Sequence, residues 1–361
     1  MTQPRVAVLY QALEPPVING ISKPKKPGGY RDSGADIAYV LRKICHIPVV
    51  TPVPDPNPVQ DNDWCFPDDE EGILSAFNTG ATHLWANTIL FAMHPLQVSE
   101  RLTEHCGSVS IVGQPPQLVE AYDDKALVYE IMKSHDGFTL AASVALAASD
   151  DLTTTLRRHS LRYPLIAKPV RGRGSHGVKL CRDEEALQVH ARYLFGESPK
   201  IIIEEYLEGE EATVTVMPPP VDKAKGYWAM PIVTRYNHMD GIAPYNGTVA
   251  VTKNSRVVGQ AEYEQDPAYE RAARECERVA ALLKATAPIR IDVRRFKEGS
   301  NFALFDVNMK PNMTGPGRPG REDQASLTAM AAEGLGWSYS RLLAEILATA
   351  QPLSVVRKIN V

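Results

Sequence analysis

Apolar runs alternate with amphipathic stretches through the first third of the chain. Val6, Ala7, Val8, Leu9 and Tyr10 form a continuous run that predicts a buried first strand. A long loop, residues 11–31, follows, with Pro15-Pro16, Pro24, Pro27 and Gly28-Gly29. Residues 36–44 then carry helical spacing, and residues 47–53 predict a second strand. Beyond a proline-rich connection the pattern predicts helices over 72–78 and 96–105 and strands over 83–86 and 108–112. Strand and helix in alternation predict a parallel sheet with helices on its faces. The unit ends near Gln114-Pro115-Pro116.

The remainder reads as more strands and longer helices. Asp123 is placed to cap a helix whose apolar face is Leu127 and Ile131. Asp183 caps another, running to about residue 195, with Ala186, Val189 and Tyr193 on one face. Ile201-Ile202-Ile203 is a buried strand, residues 213–217 alternate as the next, and residues 228–252 are further strands broken by a polar loop, 236–246. An amphipathic helix over 267–284 buries Tyr269, Ala272, Cys276, Val279 and Leu283. Residues 289–294 and 302–308 form a hairpin around Gly299, and helices over 326–332 and 339–350 close the chain.

At 361 residues the chain is long enough for two or three domains. A formal charge of −4 argues against a nucleic-acid partner, whose binding rests on phosphate neutralisation. The five cysteines have neither metal spacing nor an even disulfide framework, which predicts a reducing, cytoplasmic setting. No apolar run reaches a membrane span, so no membrane partner is expected.

Two stretches carry candidate chemistry. In Tyr163 to Leu180 (YPLIAKPVRGRGSHGVKL), Lys168 precedes a glycine-rich turn with Gly172, Gly174, Ser175 and Gly177. Glycines let backbone N–H groups approach phosphate oxygens closely, and Lys168 adds a mobile cation. The spacing matches a dinucleotide fingerprint, but β-type residues follow where that motif needs a helix. A P-loop and a protein-kinase loop also fail on their neighbouring letters. A ligand-free flexible turn fits the loop equally well on its own.

The second stretch is the hairpin. Its alternation buries Ile289, Ile291 and Val293 and puts Arg290, Asp292 and Arg294 on the opposite face. On the return strand Asp306 and Asn308 point the same way, so Asp292 can join them across the pair. Three oxygen-bearing side chains suit Mg²⁺, and a merely salt-bridged hairpin is the alternative. Lys125 stands in the first turn of its helix, where an anion is favoured, although on its own it reads as a surface lysine. The acids of Glu204–Glu211 at the strand end fit a solvent-facing stretch, but the backbone leaving residues 201–203 can also meet an adenine edge and one of the carboxylates can take ribose hydroxyls. Lys23, Lys25, Lys26 and Arg31 make a basic cluster that fits a solvated surface loop better than a site for an anionic substrate. Arg318 and Arg321, in the Gly/Pro-rich loop 313–321, are candidates to clamp a substrate carboxylate.

With Lys125, Lys168, the glycine loop, Glu204–Glu211 and Asp292…Asp306-x-Asn308 in this order, the chain resembles the ATP-grasp superfamily, and within it the D-alanine–D-alanine ligase branch of carboxylate–amine ligases. The resemblance covers roughly residues 124–312. It implies an α/β and α+β architecture: an ATP-grasp fold behind an N-terminal Rossmann-like α/β domain, divided at 1–116, 117–203 and 204–361. It implies ATP and Mg²⁺ as cofactors and a small acid and an amine as substrates, with a homodimer as one compatible assembly. Lys125, Lys168 and the Gly172–Gly177 loop would hold the phosphates. Glu204 and the backbone at Tyr206 and Leu207 would hold adenine, and Glu211 the ribose. Asp292, Asp306 and Asn308 would bind Mg²⁺, and Arg290, with Lys168, would serve catalysis. The sequence departs from the branch in four places: Asp306 replaces a glutamate, Pro311-Asn312 a Pro-Gly, and Gly174 a serine, while Gln11-Ala12-Leu13-Glu14 follows the first strand in place of a glycine-rich turn and serine. The resemblance therefore carries the class of reaction and not D-alanine as substrate. A phosphotransferase or carboxylase of the same superfamily, or an inactive ATP-binding module, are the other readings.

Overall fold

The computed structural model describes residues 3–21, 23–172, 174–220, 226–244 and 249–361. The first sheet grows from β1 (Val6–Tyr10), with β2 (Cys65–Pro67), β3 (His83–Asn87) and β4 (Ser110–Val112) parallel to it in the order β4-β3-β1-β2. β1 is apolar at successive positions because both faces are covered. Val6 and Val8 pack toward α1 (Arg31–Lys43), while Ala7 and Leu9 pack toward α2 (Glu70–Asn78).

Two sequence expectations for this unit are corrected. Residues 47–53 form no strand. Pro48 and Pro52 remove two ladder donors, and Val49 makes only an isolated bridge to Val6, so Cys65–Pro67 takes that place in the sheet. The helix expected over 96–105 is broken: α3 (Pro95–Val98) stops at Ser99, whose backbone is extended, and a single 3-10 turn follows at Thr103–His105.

After α4 (Pro116–Tyr122) and α5 (Lys125–Lys133) comes a four-stranded sheet of β5 (Ser143–Ala147), β6 (Leu165–Pro169), β7 (Lys179–Cys181) and β8 (Lys200–Glu205), ordered β5-β8-β6-β7 and wholly antiparallel. The helices α6 (Leu152–Arg158) and α7 (Glu184–Phe195) cover one face and give it an apolar core of its own. Here too the expected faces shift. Asp124, not Asp123, caps α5 by accepting from the Leu127 N–H at 3.0 Å, and Val128 and Met132 are its buried pair while Leu127 is outward. On α7 the buried stripe is Leu187, His190, Ala191 and Leu194, leaving Val189 and Tyr193 half exposed.

The third sheet holds β9 (Glu211–Met217), β10 (Trp228–Ala229), β11 (Val233–Arg235), β12 (Ser255–Val257), β13 (Ile289–Arg295) and β14 (Phe302–Asn308). Helices α8 (Gln260–Gln265) and α9 (Pro267–Leu282) follow β12, and α9 packs Tyr269, Ala272, Cys276 and Val279 on the buried residues Ile289, Ile291 and Val293 of β13. That cluster is continuous with one face of the first sheet, so the two sheets share a core. α10 (Leu327–Gly334) and α11 (Tyr339–Leu347) pack on the other side, and β15 (Gln351–Pro352) returns to pair antiparallel with β4 before α12 (Leu353–Val356). Among the described residues no helix is long and apolar enough to cross a membrane.

Candidate active site between the lid sheet and the central hairpin

β6 enters the site as a fully buried strand, and Lys168 comes with it, only 5 % exposed. Its ammonium meets the Glu204 carboxylate at 2.7 Å and donates to the Phe305 carbonyl at 3.1 Å. The pairing register explains the first contact: Glu204 lies opposite Ile166, diagonal to Lys168 on the same face. The second contact ties the four-stranded sheet, here called the lid, to β14 of the central sheet. Lys125, the first residue of α5, reaches the same strand through an ion pair with Asp306 at 2.5 Å.

On the central hairpin Asp292 is registered with Asp306, and Arg290 with Asn308. Arg290 grips Asp292 through two contacts of 3.1 Å, and the Asn308 amide donates to the same carboxylate at 3.1 Å. Burial alone would raise the Asp306 acid, but the charges of Lys125 and Lys168 overcome it and hold it below the usual carboxylate range. For Glu204 burial prevails over Lys168, and its acid is raised. The donor set of two carboxylates and one amide oxygen on one hairpin face fits a hard ion such as Mg²⁺, with the remaining positions left to water and phosphate oxygens.

The glycine turn connects β6 to β7. Gly174 and Ser175 have positive φ, and the Ser175 hydroxyl reaches the Ala243 carbonyl of the central part at 3.4 Å. Gly177 serves a different end, since a Cβ there would lie 2.9 Å from Leu194, and its carbonyl meets the His190 ring at 2.8 Å. It fixes the turn to α7 and does not line the cleft. Arg173 lies outside the described residues, as do the last two residues of the expected polar loop, 245 and 246.

Between lid and hairpin is a cleft of about 960 Å³. Its wall includes Lys125, Lys168, Gly172, Gly174, Ser175, Glu204, Tyr206, Leu207, Glu211, Arg290, Asp292, Asp306 and Asn308. Glu211 is almost fully buried and bonded to His238 at 2.8 Å, with Arg294 3.7 Å away. The Arg294 guanidinium lies 5.0 Å over the Tyr206 ring and donates to its hydroxyl.

The expected clamp of Arg318 and Arg321 is corrected. Neither lines the cleft. Arg318 is 3 % exposed and donates to Asp36 at 2.8 Å and Asp61 at 2.6 Å, and Arg321 also binds Asp36. The loop can sit that close because Gly317 has no Cβ, which would fall 2.5 Å from that of Asp36. Conversely, Tyr30, Lys26, Lys310 and Asn312 do line the cleft, though sequence reasoning left Lys26 in a solvated loop and gave Lys310 no role.

An antiparallel lid closed over a central sheet, with two lysines and a glycine turn facing a carboxylate hairpin, defines an ATP-grasp fold. The profile of the family described as D-ala D-ala ligase C-terminus matches residues 136–348. The chain belongs to that family, whose members are ATP-dependent, ADP-forming carboxylate–amine ligases. It is 28 % identical over 227 residues to a D-alanine–D-alanine ligase of Aquifex aeolicus, covering 62 % of this chain and 68 % of the relative. For the corresponding ligase of Bacillus anthracis the values are 26 % identity, 63 % of this chain and 66 % of the relative. Among solved structures, the B. anthracis ligase complexed with ATP aligns with a TM-score of 0.66 at 19 % identity, over 98 % of this chain and 99 % of that one. A D-Ala:D-Ser ligase from Enterococcus faecalis aligns at 0.61 and 13 % identity, over 96 % and 98 %.

Proposed function

We propose that this cleft binds ATP and Mg²⁺ and joins a small carboxylic acid, an amino acid, to an amine. The observation that carries the reading is the meeting of Lys168 with β14: its ammonium donates to the Phe305 carbonyl, one residue before Asp306. Phosphate-directed and metal-directed groups thereby share one crevice. Lys125, Lys168 and the turn at Gly172, Gly174 and Ser175 hold the polyphosphate. The chain leaving β8 at Glu204, Tyr206 and Leu207 faces adenine, and Glu211 the ribose. Asp292, Asp306 and Asn308 hold Mg²⁺, which when bound neutralises charge building on the phosphates.

In the reaction a carboxylate oxygen attacks the γ-phosphorus and expels ADP. The amine then adds to the acyl carbon, phosphate leaves, and the amine loses a proton. The residues position these groups and offset their charge. Arg290 stands where oxyanion charge gathers, so Arg290→Gln is expected to lower turnover by about 10²–10³-fold. The test is ADP and phosphate release with a matrix of amino acids and amines. Release coupled to formation of an amide, with one amino acid in both roles or with an acid and a separate amine, supports the ligase, and release with no amide formed or with water as acceptor overturns it.

The same reading divides the chain at 1–116, 117–203 and 204–361. The separate apolar core of the lid supports the middle unit, although β15 and α12 return to the first. Limited proteolysis checks the division. The five cysteines are free thiols, which suits a cytoplasmic enzyme. Sedimentation velocity tests the homodimer.

A further inference from the structure

A backbone turn that offers its N–H groups to phosphates must be held at both ends. The far end of the glycine turn is fixed within the lid, where the Gly177 carbonyl meets the His190 ring of α7. The near end is fixed outside it. Arg171, one residue before Gly172, is 7 % exposed and reaches α4. One terminal nitrogen donates to the Glu120 carbonyl at 2.7 Å and to the Asp123 carboxylate at 3.3 Å. The other lies 3.9 Å from Asp124.

The end of α4 explains these partners. A helix finishes in carbonyls that have no N–H in a following turn, and an arginine can take them. The Asp123 N–H donates to Val119 at 3.1 Å and the Asp124 N–H to Ala121 at 3.2 Å, while the Glu120 carbonyl between them accepts from Arg171. The main chain repeats the tie, with the Lys125 N–H donating to the Val170 carbonyl at 3.1 Å. Leu118, Val119 and Tyr122 of α4 belong to the core that the first and third sheets share, whereas the lid has a core of its own. The elbow between α4 and α5 therefore joins the start of the turn to the body of the protein. The same elbow presents Lys125 to Asp306.

Asp123 holds a second cation. The Lys23 ammonium lies 2.5 Å from the same carboxylate oxygen that Arg171 approaches. Lys23 belongs to the N-terminal loop, whose Lys25 and Lys26 line the cleft, and Lys25 donates to the Ala12 carbonyl at 3.0 Å. Asp123 lines the cleft as well. A carboxylate at that place repels a polyphosphate unless cations offset its charge, and Lys23 and Arg171 do so.

We propose that Arg171 and Asp123 are positioning residues for the nucleotide. Arg171 sets the start of the phosphate turn against the elbow, and Asp123 ties that turn and the N-terminal loop to one point. The proposal rests on the ATP reading of the cleft and names what keeps two of its walls in register. Such groups act by preorganising the turn, so their effect falls on ATP affinity and not on the chemical step.

The test titrates ATP with Mg²⁺ calorimetrically into the wild-type protein and the R171Q, R171K and D123N variants, each shown to be folded by circular dichroism. ADP release is followed against ATP concentration in parallel. R171Q is expected to weaken ATP binding and raise its KM about five- to thirtyfold, with kcat held within about twofold. R171K, which keeps the charge, should recover part of the loss. Unchanged ATP affinity in R171Q, or a loss confined to kcat, overturns the proposal. Hydrogen exchange in the ligand-free protein reads the shared tie. D123N is expected to quicken both the Lys125 amide, which donates to Val170, and the Gly29 amide, which donates to Lys26, while the β13 amides keep their rates. R171Q should quicken only the first and K23Q only the second. Quickening of one amide alone in D123N, or of neither, overturns the shared tie, and quickening throughout the protein reduces the role to plain stability. If the wild-type protein binds no ATP, it is the ligase reading that fails, and the exchange pattern still decides whether Asp123 joins the two walls.

Discussion

At the scale of single residues, the structure turns on charges that are buried only because each has a partner. Lys168 and Glu204 are 5 % and 9 % exposed and lie 2.7 Å apart. Lys168→Met leaves a buried carboxylate without its cation and is expected to cost about 3–5 kcal/mol of stability. Glu204→Gln in the same chain should restore much of it, and a double-mutant cycle by urea denaturation measures the coupling. Asp68 offers the pH counterpart. It is fully buried and accepts the Ala12 and Leu13 N–H groups at 2.8 and 2.9 Å and the Thr88 hydroxyl at 2.5 Å. Burial pushes its acid up, but His94, Thr88 and Leu13 outweigh that and hold it below 3.8. A lowered folded-state value means that its contribution is complete above pH 3.8 and fades as the pH falls through the lower value. Asp68→Asn should therefore flatten the acid limb of the stability profile below pH 3.8, read by thermal unfolding at stepped pH.

At the scale of elements, what was legible and what was not follows from periodicity. The hairpin 289–308 was legible because strict alternation leaves one possible inner face, and Ile289, Ile291 and Val293 are all fully buried. Helix α7 was legible in its extent and in its Asp183 cap, but its inner face was not, because its sequence offers two stripes at three- and four-residue steps. Only packing against β6 selects Leu187, Ala191 and Leu194. Leu187→Ala is expected to destabilise the protein by about 2–5 kcal/mol, whereas Val189→Ala should stay within about 0.5 kcal/mol. Strand β5 escaped notice because Ser143–Ala147 has a single buried side chain and is defined by its ladder with β8. The Pro27–Tyr30 turn escaped for a related reason: composition marks a loop, but only coordinates show three left-handed residues aiming a tyrosine inward. Gly29→Ala combines a positive φ with a clash on Gln11 and is expected to cost about 1–3 kcal/mol. The residues that meet in the cleft were legible as an ordered set, since lysine, glycine turn and hairpin acids keep their chemistry whatever the intervening chain does. Lys26, which completes the wall from the N-terminal loop, was marked only as one of a basic cluster, and nothing local separated it from Lys23 or Arg31, which are not in the wall.

At the scale of the whole molecule, loop 313–321 decides how the first sheet sits on the catalytic part. Two hypotheses make opposite demands on it. A substrate clamp needs Arg318 exposed to the cleft, whereas a latch needs it occupied elsewhere. The structure has Arg318 on Asp36, Asp61 and the carbonyls of Asp32 and Pro58, with Arg321 adding a second grip on Asp36. Asp36 is fully buried in α1, and its acid is raised because burial outweighs both arginines. Removing Arg318 leaves that carboxylate with one cation, so Arg318→Met is expected to lower stability by about 3 kcal/mol or more. Hydrogen exchange should quicken in α1 and in the loop together, because the ion pairs are what couple them. Adding Asp36→Asn to Arg318→Met should recover part of the loss, since the uncompensated charge is gone. A clamp gives the reverse pattern: unchanged unfolding, unchanged exchange in α1, and a KM that rises for the carboxylic acid alone. Urea denaturation, exchange mass spectrometry and steady-state kinetics on the same two variants separate the two. A rise in KM without a loss of stability would return Arg318 to the substrate.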